Sequence, residues 1–179
     1  MLLWTYSIPL WIVMYFMVLA IAIWSLLNFL FETKYNKFLK SWRAFNICFA
    51  VFSVYIIFDS TILRRTNPVR NLILTPFYSI VVTKSQPEMW RSLLMNIALF
   101  LPFGISLATA LKQLLSNKAI GITVFVSGAL LSAVIEALQY FLCLGETWTD
   151  DVICNALGAF CGATVIFISD LCLKNKNIV

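Results

Sequence analysis

The sequence contains no histidine. That removes imidazole as a general acid, a general base or a metal ligand. Charge is scarce as well: Asp, Glu, Lys and Arg make up only 12% of the 179 residues. Soluble domains carry about 25%. The five cysteines, Cys48, Cys143, Cys154, Cys161 and Cys172, form no CxxC pair. They read as small buried hydrophobes, with Cys143–Cys154 the one conceivable bridge. No Lys or Arg precedes the first apolar run, and that run is too long for the core of a cleaved signal peptide. The chain shows no internal repeat, low-complexity tract or segment that reads as a soluble domain.

Apolar side chains are what it has in excess, at 61%. One water-soluble core of this size cannot hide so many. The composition therefore excludes a soluble enzyme, a disordered tail and a nucleic-acid-binding domain, and makes the lipid bilayer the first partner. The formal charge of +5 reports cytoplasmic anchoring in such a chain, so position matters more than the sum.

Five apolar runs are long enough to span as helices: Ile8–Phe31, Ala44–Leu63, Ser92–Leu111, Ala119–Leu144 and Val152–Leu173. Pro102 and Gly104 are expected to break the third. The fold class is thus an all-α bundle of about five membrane helices. The first helix and its basic loop occupy 1–43, the main membrane domain 44–173 and a tail 174–179. Lys34, Lys37, Lys40 and Arg43 fill the first connection, Lys112 and Lys118 flank the third, and Lys174 and Lys176 end the chain. This places the N-terminus outside and the C-terminus in the cytoplasm. The connection at 64–91 holds Pro68, Pro76 and Pro87. Its stretch near 71–83 is apolar but too short to span, so it lies at the interface or re-enters.

The awkward polar residues gather at one depth. Asp59, Asn96, Glu136, Gln139, Asp151 and Asn155 all fall within roughly 10 Å of the outer ends of their helices. The inner halves read as almost purely apolar. An ionisable group at the centre of a bilayer costs about 2.5–3.5 kcal/mol on insertion scales, so these groups should face one another or a wet cavity. Ser132, Glu136 and Gln139 share a helix face; so do Asp151, Asn155, Gly158 and Gly162. The second face combines a polar mouth with a GxxxG stripe, which reads first as packing inside the chain. The expected result is one outward-opening pocket. Asn96, Ser132, Glu136, Gln139, Asp151 and Asn155 line it. Arg64, Arg65, Arg70 and Arg91 are available outside as phosphate clamps, with Arg64, Arg70 and Arg91 the expected ligand contacts. The bland reading is a structural hydrogen-bond network and arginines on lipid head groups. If the site is catalytic, Glu136 is the general base or a metal ligand, and Asp151 a metal ligand or orienting group. No clear nucleophile or metal spacing accompanies them, and no metal or cofactor is expected.

Four ordered blocks carry a family resemblance. They are Asn71-Leu-Ile-Leu-Thr-Pro76-Phe77, Asn96-Ile-Ala-Leu-Phe100-Leu-Pro102-Phe-Gly104, Ser132-x-x-x-Glu136-x-x-Gln139, and Asp150-Asp151-x-x-x-Asn155-x-x-Gly158-x-x-x-Gly162. Together, over roughly 50–170, they resemble the VanZ-like family. The resemblance implies a bacterial membrane protein of the type associated with teicoplanin resistance. Many family members carry an arginine shortly before the paired aspartates. Here Leu144-Gly-Glu-Thr-Trp-Thr149 has none, so a role resting on that arginine requires Arg91 or Arg70 to substitute for it in space.

Three functions compete. The first is a binding protein for an amphipathic envelope ligand, a lipid-linked precursor or a lipoglycopeptide. The second is an intramembrane enzyme modifying a lipid-linked substrate with Glu136 and Asp151. The third is an accessory subunit of a membrane complex, since five helices without a repeat are few for a transporter.

Overall fold

The computed structural model describes residues 10–65, 68, 70–83 and 88–176. Ile8, Lys84, Pro87 and the tail beyond 176 lie outside them, as do the side chains of Asp170, Cys172, Lys174 and Lys176. Six α-helices appear among the described residues. α1 is Leu10–Thr33, α2 Leu39–Phe58, α3 Tyr78–Val82, α4 Glu88–Leu111, α5 Asn117–Phe141 and α6 Thr149–Lys176. All but α3 are long and apolar enough to cross a membrane. Asp59–Leu63 extends α2 as a π-helical turn.

Why α4 and α6 pack so closely is written in their small residues. A Cβ on Gly158 would sit 2.3 Å from the Ile97 carbonyl oxygen, and one on Gly162 2.4 Å from that of Leu101. From the other side, a Cβ on Gly104 would sit 2.0 Å from the Ala159 carbonyl oxygen. The GxxxG stripe is therefore spent inside the chain, letting two backbones touch. Contacts advance by equal steps along both helices, from Ile97–Gly158 to Leu101–Gly162, so α4 and α6 run in the same direction. α5 returns between them, with Gly128 against the Ala159 methyl. Ile57, Phe100, Phe103, Ile120, Val124, Ile135 and Ile166 fill the core below this seam.

Four details differ from expectation. α4 runs unbroken through Pro102. Proline removes one amide from the ladder, but neighbouring helices hold the rest, and Gly104 serves packing rather than a break. Cys143 and Cys154 are free thiols, as the unbridged reading expects, but Cys48 and Cys161 are exposed on the bundle's outside rather than buried. The inner halves are not purely apolar: Asn46, Ser106 and Thr109 are buried there, with Asn28 of α1. Trp42 Nε1 donates to Asn28 Oδ1 at 2.8 Å, and Asn46 Nδ2 to the Trp42 carbonyl at 2.8 Å.

The fourth difference positions the site. The segment near 71–83 is neither all helix nor all loop. Arg70–Ile73 forms β1, which pairs in parallel with β2, Gly145–Trp148. Arg70 stands opposite Gly145 and Ile73 opposite Trp148. α5 ends at Phe141, short of Leu144, because Cys143 takes φ 54° and Gly145 φ 126° to turn the chain into the strand. The threonine and tryptophan that follow suit extended backbone. After β1 the chain turns at Phe77, which holds φ 61°, a costly conformation for a non-glycine residue. Asp150 supplies the compensation. One carboxylate oxygen accepts the Phe77 amide at 2.5 Å and the other the Ser79 amide at 2.7 Å. A carboxylate from α6 thus caps the start of α3, satisfying amides that a helix start leaves unpaired.

Two predictions follow the geometry. G158A should destabilise the chain by about 1–3 kcal/mol, since its methyl meets backbone and nothing can rotate aside. G121A, where the nearest atom is a Phe160 ring carbon at 3.4 Å, should be neutral or stabilising. Thermal unfolding in detergent, followed by size-exclusion fluorescence, measures both; equal midpoints would contradict the seam. D150A should speed tryptic cleavage in the 64–83 connection, because two charge-assisted hydrogen bonds of about 1.5–3 kcal/mol each disappear. D150N, which keeps an acceptor, should fall between D150A and wild type.

Candidate functional site

The cluster is built where α4, α5 and α6 reach the sheet. Each helix brings one or two polar side chains at a spacing its own turns dictate. From α5, Glu136 and Gln139 lie one turn apart and are both buried. Glu136 Oε2 accepts the backbone amide of Trp148 at 3.0 Å, and the Glu136 carbonyl accepts the Thr147 hydroxyl at 3.4 Å. The carboxylate thus pins β2 onto the end of α5. Gln139 uses both ends of its amide. Its Oε1 accepts from Arg65 Nη1 at 3.2 Å, while its Nε2 donates to the Thr61 carbonyl at 3.1 Å. Thr61 lies in the π-helical turn, so Gln139 ties that turn to α5.

From α6, Asp151 Oδ1 accepts Asn96 Nδ2 of α4 at 2.7 Å. One turn deeper, Asn155 Nδ2 donates to the Ser132 hydroxyl of α5 at 2.8 Å. The Asn155 side-chain oxygen Oδ1 is buried with no hydrogen-bond partner among the described residues. Such an acceptor costs free energy until something donates to it.

Charge organises the group. Glu136 and Asp151 are close enough to repel each other, and Asp150 adds to the field at Asp151. Arg65 attracts both Glu136 and Asp151. Two carboxyl groups and one guanidinium meet there. The amides of Asn96, Gln139 and Asn155 add donors and acceptors around them.

The structure brings together six residues expected to meet, Asn96, Ser132, Glu136, Gln139, Asp151 and Asn155. It does not gather the arginines in the same way. Arg64 turns back to Asp59, with Nε 2.6 Å from Oδ2, and its side chain is 62% exposed. Arg70 lies over the Tyr140 ring at 4.2 Å, on the outer face of the sheet end. Arg91 is half-buried in the first turn of α4. The arginine that enters the cluster is Arg65. Its guanidinium nitrogen lies 3.0 Å from where a Cβ on Gly145 would be. It therefore occupies, in space, the stretch before the paired aspartates that lacks an arginine in sequence. Neither Arg70 nor Arg91 was needed for that. Four arginines in one connection look alike by composition. Only Arg65's place, just past the π-helical end of α2, distinguishes it. Asp150 also carried a signal, as the first of two adjacent aspartates, but its partners lie more than 70 residues away.

The family model for VanZ/LLP1 matches residues 8–170. Protein VanZ of Enterococcus faecium is 29% identical over 110 residues, which cover 61% of this chain and 60% of that protein. The chain thus spans about three fifths of the curated relative it matches. No solved structure matches it. The ordered blocks fall at the helix ends that meet beneath the sheet, and the match runs over nearly the whole chain: this multi-pass membrane protein belongs to the VanZ/LLP1 family.

Proposed function

We propose that the chain binds the head of an amphipathic envelope ligand at the sheet end of the bundle, and so lowers sensitivity to teicoplanin. It acts in the bacterial cytoplasmic membrane, with the sheet end at the outer surface. The distribution of Lys and Arg supports that orientation. The ligand is a lipid-linked precursor or a lipoglycopeptide, molecules that join a hydrogen-bonding head to an acyl chain. One observation carries the reading. Glu136 of α5, bonded to β2, and Asp151 of α6, bonded to Asn96 of α4, stand beneath the sheet with Arg65, which bonds Gln139 one turn from Glu136. A bundle needing only stability gains little from two carboxyl groups set beneath its sheet, since apolar replacements of similar volume are commonly as stable. Such groups suit recognition. Asn155 Oδ1, unpartnered among the described residues, offers a further acceptor. The acyl chain would lie against the apolar helix faces that the lipid already covers.

Expression in a teicoplanin-sensitive host tests this. Wild type should raise the inhibitory concentration. E136A and D151A, at equal membrane levels, should lose most of that gain, because removing a polar contact worth about 1.4 kcal/mol weakens binding about tenfold. R65A should weaken protection as well, whereas R64A should not. Protection that survives both carboxylate variants would exclude this cluster as its cause.

A further inference from the structure

The opposite end of the bundle holds a second convergence of charge that the sheet-end reading does not use. α1, α2 and α4 meet there around a cavity of about 190 Å³. Glu32 comes from the end of α1, Trp42 and Arg43 from the first turns of α2, and Thr109 and Lys112 from the end of α4. Lys112 and Glu32 form an ion pair, with side chains only 17% and 20% exposed. Glu32 therefore balances Lys112, and Arg43 leaves the cavity with a positive excess. Arg43 Nε is buried and has no hydrogen-bond partner among the described residues. A guanidinium nitrogen removed from water in this way favours any acceptor that reaches it.

Trp42 is also a wall of a neighbouring groove of about 510 Å³, lined by Phe31, Tyr35, Phe38 and Phe45. Phe31 stacks on Trp42 with ring centroids 4.5 Å apart and planes 6° from parallel, and Phe45 also stacks on Trp42, with centroids 5.5 Å apart and planes 14° from parallel. The groove is thus walled by rings that brace one another. Its rim is basic. Lys34, Lys37 and Lys40 are exposed, with Lys34 over the Tyr35 ring and Lys37 over that of Phe38. A cationic recess and an apolar groove share one side chain. That combination is complementary to a molecule with an anionic head and a hydrocarbon tail.

We propose that this double recess binds one anionic phospholipid of the leaflet it faces, its phosphate at Arg43 and an acyl chain along Phe31, Trp42 and Phe45. The forked guanidinium matches phosphate geometry. Basic recesses between membrane helices on the side rich in Lys and Arg are suited to such head groups. A free phosphate would use Arg43 but would leave the aromatic groove without a part. The site is independent of the Glu136 cluster, from which the apolar core separates it.

The full chain in detergent can be titrated with phosphatidylglycerol or phosphatidylcholine and followed by native mass spectrometry. Phosphatidylglycerol should be retained roughly fivefold or more over phosphatidylcholine, the scale of one basic contact at a membrane surface. R43Q should bring the two lipids level. K118Q, at the same end but outside the recess, should leave the preference intact. Equal retention by wild type, or a preference that survives R43Q, overturns the proposal. Complete displacement by inorganic phosphate overturns it in favour of a free anion site. Should R43Q fail to fold, F45A decides: the half-exposed ring can be removed without opening the core. Its loss should weaken phosphatidylglycerol retention, and unchanged retention counts against the groove.

Discussion

The contact between the backbones of α4 and α6 sets everything at the sheet end. Gly158 and Gly162 meet main-chain atoms of Ile97 and Leu101, and Gly104 meets the carbonyl of Ala159. Side chains would force the helices apart by the width of a methyl group or more. Asn96 of α4 reaches Asp151 of α6 across this close approach, and the two share a 2.7 Å hydrogen bond. A carboxamide and a carboxylate are short and cannot bridge a wider gap. The glycines are therefore part of the polar site, although none of them is polar. In a bilayer, where lipid is as apolar as leucine, close packing of this kind is a principal force holding helices together.

Above that seam the sequence had to solve a second problem. Strand and turn backbone near a membrane surface needs partners for its amides and carbonyls. Side chains from the helices provide them. Asp150 takes two amides of the turn into α3. Glu136 takes the amide of Trp148, and Gln139 serves the carbonyl of Thr61. The cap of the bundle is thus stitched from below by acids and amides that stand on rigid helices. The same residues carry the acidic groups of the cluster. Positioning the cap and presenting charge are two results of one set of hydrogen bonds.

Much of this was legible in the residues. Five spans follow from apolar run length, and the meeting of Ser132, Glu136, Asp151 and Asn155 follows from helical spacing and shared depth. What stayed hidden depended on partners distant in sequence. Gly145–Trp148 reads as a loop because four residues carry too little pattern to mark a strand. Its partner at Arg70–Ile73 lies 75 positions earlier. Arg65 could not be separated from Arg64, because their opposite directions arise from the π-helical turn before them. Pro102 suggested a break because local rules know nothing of the helices packed around it. Asn28 escaped notice for a different reason. A lone amide in an apolar run is conspicuous only when its partners, Trp42 and Thr109, are seen beside it.

The two polar ends differ in sign, and the layer between them explains why they act separately. Phe100, Phe103, Val124, Ile135, Ala159 and Ala163 form a continuous apolar core across the middle. A charge moving from Glu136 toward Lys112 would have to cross that layer without a hydrogen-bond partner, at several kcal/mol. Tight helix contact at the glycines leaves little room for water to lower that cost. The geometry therefore opposes a through-path. It favours a body whose rigid centre holds two polar clusters apart. One is acidic, under a strand-built cap, and the other is basic, beside a wall of stacked rings.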